Sequence, residues 1–481
     1  MSTSPITGPL PEALGDDRLV GLLGDWSADG HGTLARRLAQ GLRSAIGGGL
    51  LADGTRLPPE RHMAAVLSVS RSTVTTALDE LRGEGLVRSR QGRGTEVVGP
   101  AAEPVAGHRV GEHFVNQGAG IDLAAVVPVD GSHLPPLSLR TEDLLAARGQ
   151  LEPQGLAPLR DALAERHTDR GRLTEARHIQ VTHGAHHAIG LVVAACVPAG
   201  GTVAIEDPAY PGILDLVDQH RARAAAVPVG PGGPDPDGLA ELLRTRRPEL
   251  VYLQTGVHNP TGTVIGTARR RALAEVLDAH GDAVVLEDNT LADLVFDGRP
   301  GPDLATLCRV APVVTVESFS KVAWAALRIG WLRATGVVGE RIAQVRIATD
   351  LGASVPSQLL ALQLLGDLDE LAERRRRSLA DAVDAAADRV AAELPDWELA
   401  RPLGSSALWP RLPLPDATPF VALARRHGVH VTPGTAHRAD AGPDPHLRFC
   451  VDRPAGHVDE GIDRLVAAWH DATSRSIRAL G

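Results

Sequence analysis

Apolar residues recur at three- and four-residue spacing from Thr33 to Ile46, at Leu34, Leu38, Leu42, Ala45 and Ile46, and Gly47, Gly48 and Gly49 follow. This pattern predicts an amphipathic helix with a glycine stop. Pro58–Leu67 reads as a short second helix with Met63, Ala64 and Leu67 inward. A third helix follows Ser70, a residue suited to an N-cap, with Val74, Leu78 and Leu81 as its buried stripe and Gly83 and Gly85 beyond it. Leu86–Val98 then alternates as strand, glycine-containing turn and strand, the pattern of a hairpin.

Residues 99–120 are rich in Gly, Pro and Ala without apolar periodicity and read as a flexible tether. Beyond Ile121, strand-like runs alternate with amphipathic helices: TVAIED (202–207), AAAVPV (224–229), LVYLQT (250–255), AVVLED (283–288) and VVTVES (313–318). Such alternation predicts an α/β domain with a mostly parallel sheet. The expected organisation is an N-terminal extension (1–30), a helical module with a hairpin (31–98), the tether, and a large domain (121–475). Residues 402–470 of the last mix short strands and helices as a smaller subdomain. The uncharged stretch Ala188–Ile205 is interrupted by Pro198, Gly200 and Gly201, so it reads as buried helix, turn and strand rather than a membrane span. The RRRR run at 374–377 reads as the solvated face of a long helix.

Charge sharpens this division. The whole chain carries a formal net charge of −10, which excludes a protein that coats nucleic acid with its entire surface. Residues 31–98 nevertheless hold ten arginines against six acidic residues, the mark of a unit with its own partner. The three cysteines, Cys196, Cys308 and Cys450, fit neither a disulfide framework nor metal-ligand spacing. With an N-terminus that lacks a basic start and an apolar core, they point to reduced thiols and a cytoplasmic location. His183, His186 and His187 lie close together, but no acidic or cysteine neighbour in sequence completes a metal shell.

Helix, helix, helix and basic hairpin is the layout of a winged helix-turn-helix, whose partner is double-stranded DNA. Arg71, Ser72, Thr73 and Thr75 sit on the exposed first turn of the third helix, where they can reach base edges and phosphates. Arg90, Gln91, Gly92 and Arg93 form the hairpin tip. The run LPPERHMAAVLSVSRSTVTTALDELRGEGLVRSRQGRGTEV resembles the DNA-binding domain of GntR-family bacterial regulators throughout. That resemblance implies DNA contacts from Arg61, Ser70, Arg71, Thr73 and the wing.

Lys321 is the only lysine in the chain; the other 48 of the 49 Lys+Arg residues are arginine. Arginine stays protonated and cannot form an imine, whereas lysine can lose its proton and hold a carbonyl as a Schiff base. Lys321 follows the strand VVTVES, between Ser318 and Ser320 on one side and Arg328 on the other. Two hydroxyls and an arginine beside an imine-forming amine suit a cofactor with both an aldehyde and a phosphate, pyridoxal 5′-phosphate. Asp288, at the end of AVVLED, is placed to pair with the pyridinium nitrogen. Asn259 in GVHNPTG would bond the phenolic oxygen, and Pro260 is a candidate for a cis peptide. The amides of Ala185 and His186 open a helix that can receive phosphate, and Tyr210 offers a lid over the ring. Tyr252, the other tyrosine, reads as a core strand residue, and Trp409 as core or a weak substrate wall.

In order, PQGLAPLRDAL, VTHGAHHAI, EDPAYPG, HNPTG, LEDNT, SFSK with Arg328, and HLRF resemble a fold-type I aminotransferase from residue 121 to about 470. The resemblance implies an aldimine on Lys321, a substrate or effector carboxylate gripped by Arg448, and a homodimer with its sites at the subunit interface. A GntR-type module ahead of such a domain is the arrangement of MocR-type transcriptional regulators, which implies a ligand-responsive regulator of vitamin B6 or amino-compound metabolism. The alternative is an active aminotransferase with a DNA-binding appendage. Many relatives have tyrosine two residues after the pyridine aspartate; this chain has Thr290, and Ala185 and His186 replace the usual serine and glutamine. These departures bear on transamination more than on cofactor binding.

Overall fold

The structure is a computed structural model of the full chain. It describes residues 19, 23, 26, 32–47, 51, 55–84, 86–90, 94–97, 108–114, 120–128, 131–147, 151–298, 300–440 and 442–478. The chain forms two compact units, Met1–Val105 and Ala106–Gly481.

In the first unit, helices α1 (Leu34–Gly47), α2 (Glu60–Val66) and α3 (Arg71–Gly83) surround a shared core. Leu38, Leu42, Met63, Val74, Leu78 and Leu81 are fully buried in it, the positions that helical spacing selects. The Ser70 hydroxyl accepts the Thr73 amide at 3.1 Å and satisfies one of the open donors at the start of α3. Arg43 of α1 reaches Glu80 of α3 and Glu84 just beyond its end at 2.9 and 2.5 Å, tying the two helices outside the apolar contact. Strand β1 (Arg56–Leu57) and the hairpin strands β2 (Val87–Arg90) and β3 (Gly94–Val97) form a small antiparallel sheet with β3 central.

The second unit is built on an eight-stranded sheet. After the short β4 (Ile121–Asp122), its strands are β5 (Ile179–Thr182), β6 (Thr202–Asp207), β7 (Arg223–Gly230), β8 (Gly233–Pro234), β9 (Leu250–Leu253), β10 (Val284–Asp288), β11 (Val313–Ser318) and β12 (Gly330–Arg333). They lie in the order β5-β12-β11-β10-β9-β6-β7-β8. The run from β11 through β10, β9 and β6 to β7 is parallel, while β5, β12 and β8 pair antiparallel. The central strands are apolar on both faces because helices cover both, so their sequences are continuous hydrophobic runs. Parallel strands share one carboxyl edge, and Asp207, Asp288 and Ser318 stand at their strands' ends along it.

A further core gathers the C-terminal elements: β13 (Ala407–Leu408), β14 (Val429–His430), β15 (Thr432–Pro433), β16 (Leu447–Cys450) and the helix Ala455–Arg478. It also takes in Ile121, Leu123 and the second half of the long helix Leu368–Glu393. Trp397, Phe420 and Trp469 meet edge to face within it, at 5.5–5.6 Å. Among the described residues no helix is long and apolar enough to cross a membrane.

One expectation is corrected. Within the stretch read as a tether, His108–Phe114 form a helix whose Arg109 reaches Asp215 and Asp218 at 3.2 and 2.7 Å. Charge rather than an apolar stripe anchors it, which is why periodicity did not reveal it.

Strand β11, which leads to Lys321, is fixed by buried charge. Glu317 accepts Arg172 at 2.9 Å, with Arg170 at 3.8 Å and His167 at 3.6 Å, and His167 in turn accepts the Trp331 indole at 2.9 Å. Burial works to raise the Glu317 pKa, but His167, once protonated in acid, together with Arg172 and Arg170 outweighs it and brings the carboxyl down to about 2. A carboxyl depressed by folding contributes stability that is complete above its ordinary value near 4.5 and is lost as pH falls toward about 2. Arg172→Met is expected to lower unfolding free energy at pH 7 by about 3–5 kcal/mol, since it leaves a buried carboxylate under-compensated. Urea titrations should show the deficit shrinking as Glu317 protonates below pH 4.5; an unchanged midpoint at pH 7 would remove the ion cluster from the anchoring role.

Candidate functional site

At the carboxyl edge of the sheet lies a cavity of about 410 Å³. Lys321 lines it, three residues beyond the end of β11, and its Nζ donates to the Val126 carbonyl at 2.5 Å. Burial, and then the positive charge of Arg448, push the Lys321 pKa down to about 8. At pH 7 about a tenth of such amines are neutral, far more than for an exposed lysine. The amine is therefore nucleophilic near neutrality.

Asp288 faces the same cavity. Its Oδ2 accepts the Tyr252 hydroxyl at 2.6 Å and the Gln254 amide nitrogen at 3.4 Å; its Oδ1 accepts Thr290 N at 3.0 Å and Thr290 Oγ1 at 2.5 Å. Four donors on one carboxylate fix its direction. Tyr252 was read only as core. Its ring is indeed buried in β9, but Tyr252 pairs with Leu286 of β10, and the phenol lies within reach of Asp288 two residues further along the same face. The signal was strand register, which no single run of sequence displays. Glu206, fully buried behind Gln254, is driven up to about 8 by burial and holds a proton at neutral pH. Its Oε2 accepts the Gln254 amide at 2.8 Å, which fixes the backbone between Tyr252 and Asn259.

A cradle for an anion occupies one wall. Helix α4 (Ala185–Cys196) begins after Gly184, whose φ is +91°. A Cβ there would lie 3.1 Å from the Arg328 guanidinium, and a Cβ on Gly330 would come within 2.9 Å of Ala185 N. Both glycines keep the backbone open where the α4 amides, Arg328, Ser318 and Ser320 converge. Arg328 donates to the His183 carbonyl at 2.7 Å, and Ser318 donates to Ser320 at 2.9 Å. Tyr210 lies beside this wall, its hydroxyl 3.3 Å from His186 Nδ1. Burial lowers the pKa of His186, so the ring is a neutral neighbour.

Opposite the cradle, Arg448 is fully buried on β16 and donates to Asn259 Oδ1 at 2.9 Å and to the Ala124 carbonyl at 2.6 Å. With its oxygen turned to Arg448, Asn259 can offer its amide hydrogens to a ligand. The Asn259–Pro260 peptide is cis, as is Asp207–Pro208. The structure thus brings Lys321, Asp288, Asn259, Tyr210, Ala185, His186, Ser318, Ser320, Arg328 and Arg448 around one cavity and adds Gln254, Thr290 and the 125–127 backbone. Trp409 stays apart, stacked on His446 at 5.1 Å.

These residues fit a pyridine ring carrying an aldehyde and a phosphate: an amine of lowered pKa, a fixed carboxylate, a donor-lined cradle and a carboxylate-binding guanidinium. Such a cofactor would be held by Lys321, Asp288, the α4 amides, Ser318, Ser320 and Arg328.

The histidine cluster reads differently in three dimensions than in sequence. Asp350, at the end of the helix Gly336–Thr349, comes within 3.0 Å of His183 Nε2 and 3.5 Å of His187 Nε2, so an acidic partner exists after all. His187 Nδ1 accepts the His183 amide at 3.2 Å, which leaves the proton on Nε2 facing Asp350. The ligand-type atoms of His183, His187 and Asp350 lie within 4.8 Å of one another, a grouping the sequence alone did not show.

In the first unit, Arg61, Ser70, Arg71 and Ser72 are exposed on α2 and at the start of α3, with Thr73 partly so. Ser70 Oγ also contacts Ser72 and Thr73 Oγ atoms at 2.8 and 2.7 Å. Thr75 is committed, donating to Glu60 and to the Arg71 carbonyl, both at 3.0 Å. Gln91, Gly92, Arg93 and the Arg90 side chain lie outside the described residues.

Residues 34–97 match the model of the bacterial regulatory proteins of the gntR family, and residues 144–468 that of aminotransferase class I and II. The uncharacterized HTH-type transcriptional regulator YisV of Bacillus subtilis (strain 168) is 28% identical over 461 residues, covering 89% of this chain and 94% of that one. The 2-aminoadipate transaminase of Thermus thermophilus is 30% identical over 321 residues, covering 65% and 79%. The crystal structure of LysN, an α-aminoadipate aminotransferase from Thermus thermophilus complexed with N-(5′-phosphopyridoxyl)-L-leucine, superposes with a TM-score of 0.68. It shares 27% identity and covers 78% of this chain and 98% of that one. With the fold and the ordered motifs, these matches establish that the chain belongs to the aminotransferase class I and II family and, through its gntR-type helix-turn-helix, to the regulators of the MocR type.

Proposed function

We propose that the protein is a DNA-binding transcriptional regulator whose large unit senses pyridoxal 5′-phosphate or an amino acid acting on it. The observation that carries this reading is the coexistence, in one chain, of a gntR-type helix-turn-helix and a complete amine, carboxylate, cradle and guanidinium constellation. When bound, pyridoxal phosphate supplies an aldehyde carbon for amines and an electron-withdrawing ring.

The chain's own groups have distinct tasks. Lys321 Nζ, of lowered pKa, is the amine that engages or yields the aldehyde. Asp288, oriented by Tyr252 and Thr290, pairs with a ring nitrogen. The α4 amides, Ser318, Ser320 and Arg328 take the phosphate. Arg448, braced by Asn259, takes the carboxylate of an entering amino acid. Lys321, on the loop after strand β11, would hold the aldehyde carbon, and an amino acid gripped by Arg448 would compete with it there, the two-state event a ligand switch requires. Arg61, Ser70, Arg71, Ser72 and Thr73 meet operator DNA, and a homodimer provides two such modules.

A second reading, an active aminotransferase, is favoured by the complete constellation and by similarity to a transaminase. Thr290 weighs against it: its hydroxyl turns onto Asp288 rather than toward the position a phenol serves in relatives. Sustained conversion of an amino donor to its oxo acid would favour this second reading.

In anisotropy titrations at fixed salt, Arg71→Ala should weaken specific DNA binding by about 1–3 kcal/mol, the worth of one bidentate base contact; equal affinity and selectivity would remove Arg71 from base reading. Arg448→Ala should retain the cofactor's absorbance while the change in DNA affinity on adding an amino acid is lost; a normal response would place the carboxylate elsewhere.

A further inference from the structure

Of the four consecutive arginines on the helix Leu368–Glu393 (α5), Arg377 extends furthest into solvent, with 72% of its side chain exposed. Arg376 is spent on Glu373 and the Asp293 carbonyl. Arg374 and Arg375 instead line a second cavity of about 290 Å³, walled also by Ser378, His133, Asp452 and Arg453. Three guanidiniums here face one carboxylate.

That carboxylate does not saturate them. Asp452 accepts Arg375 Nη2 at 2.5 Å, but the Nε of Arg375 is buried and has no hydrogen-bond partner among the described residues. A buried donor without an acceptor is unfavourable, and it leaves the charge of Arg375 only partly compensated by Asp452. Arg374 is half exposed, at 48%, and its nearest carboxylate, Glu370, is distant at 3.7 Å, so its fork can turn toward a ligand. Ser378, one turn along the same helix from Arg374, adds a hydroxyl donor on the same wall. Arg453 is consumed by Asp122 and by the carbonyls of Val127 and Ala125, and it contributes charge rather than open donors.

We propose that this cavity is a second ligand site, separate from the Lys321 pocket, for a small anion bearing carboxylate or phosphate groups. Its volume, just below the usual range of small-molecule pockets, suits a small ligand. The site touches the first through shared segments: His133 Nε2 lies 3.2 and 2.9 Å from the carbonyls of Val322 and Ala323, the residues that follow Lys321.

The test is calorimetric titration of the full chain, saturated beforehand with pyridoxal phosphate so that the first cradle does not compete. Inorganic phosphate and succinate serve as separate probes at constant ionic strength. Saturable binding of phosphate alone assigns a phosphate ligand, and of succinate alone a dicarboxylate. In either case binding should weaken roughly 10- to 100-fold in Arg374→Ala, the loss of a charge-assisted contact, weaken also in Ser378→Ala, and be unchanged in Arg377→Ala. No saturable binding of either probe, or binding that both Arg374→Ala and Ser378→Ala leave intact, would overturn the proposal.

Discussion

The large unit is arranged around a primary amine kept where its own charge is unfavourable. Lys321 lines a cavity that Arg448 also lines, and both burial and that neighbouring cation press it toward neutrality. Neutral amines attack carbonyls and ammonium ions do not, so this electrostatic setting is what makes the position chemically useful. Everything around it follows from holding the setting: a parallel sheet that ends Asp288 and Ser318 at one edge, a helix start that opens amides toward an anion, and buried charge that fixes strand β11.

Much of this was legible in the chain. Runs such as TVAIED and VVTVES coincide with strands β6 and β11, because parallel strands buried on both faces must be continuously apolar. The three helices of the first unit follow the three-four spacing of leucines and the cap at Ser70. The motif residues around Lys321 were identifiable because each demands a residue type with few substitutes: a lysine for an imine, an arginine for a carboxylate.

What remained hidden depends on juxtaposition across the fold. Tyr252 became a partner of Asp288 only through the pairing of two strands. Asp350 joined the histidines from a helix end far along the chain. The helix at His108–Phe114 is anchored by ion pairs that carry no periodic signature. The arginine run at 374–377 looked uniform as letters, yet helical geometry sends its members into a cavity, onto neighbouring acids and into solvent. The C-terminal core likewise recruits Ile121 and Leu123, which no local pattern assigns to it.

Because Lys321 is the chain's only lysine, the account's central claim can be tested with little ambiguity. The protein would be mixed with pyridoxal phosphate, reduced with borohydride, digested and sequenced by mass spectrometry. The account predicts one phosphopyridoxyl addition per chain, on the peptide containing Lys321, and none in Lys321→Arg. An addition found only at the N-terminal amine, or no addition at all, would contradict it.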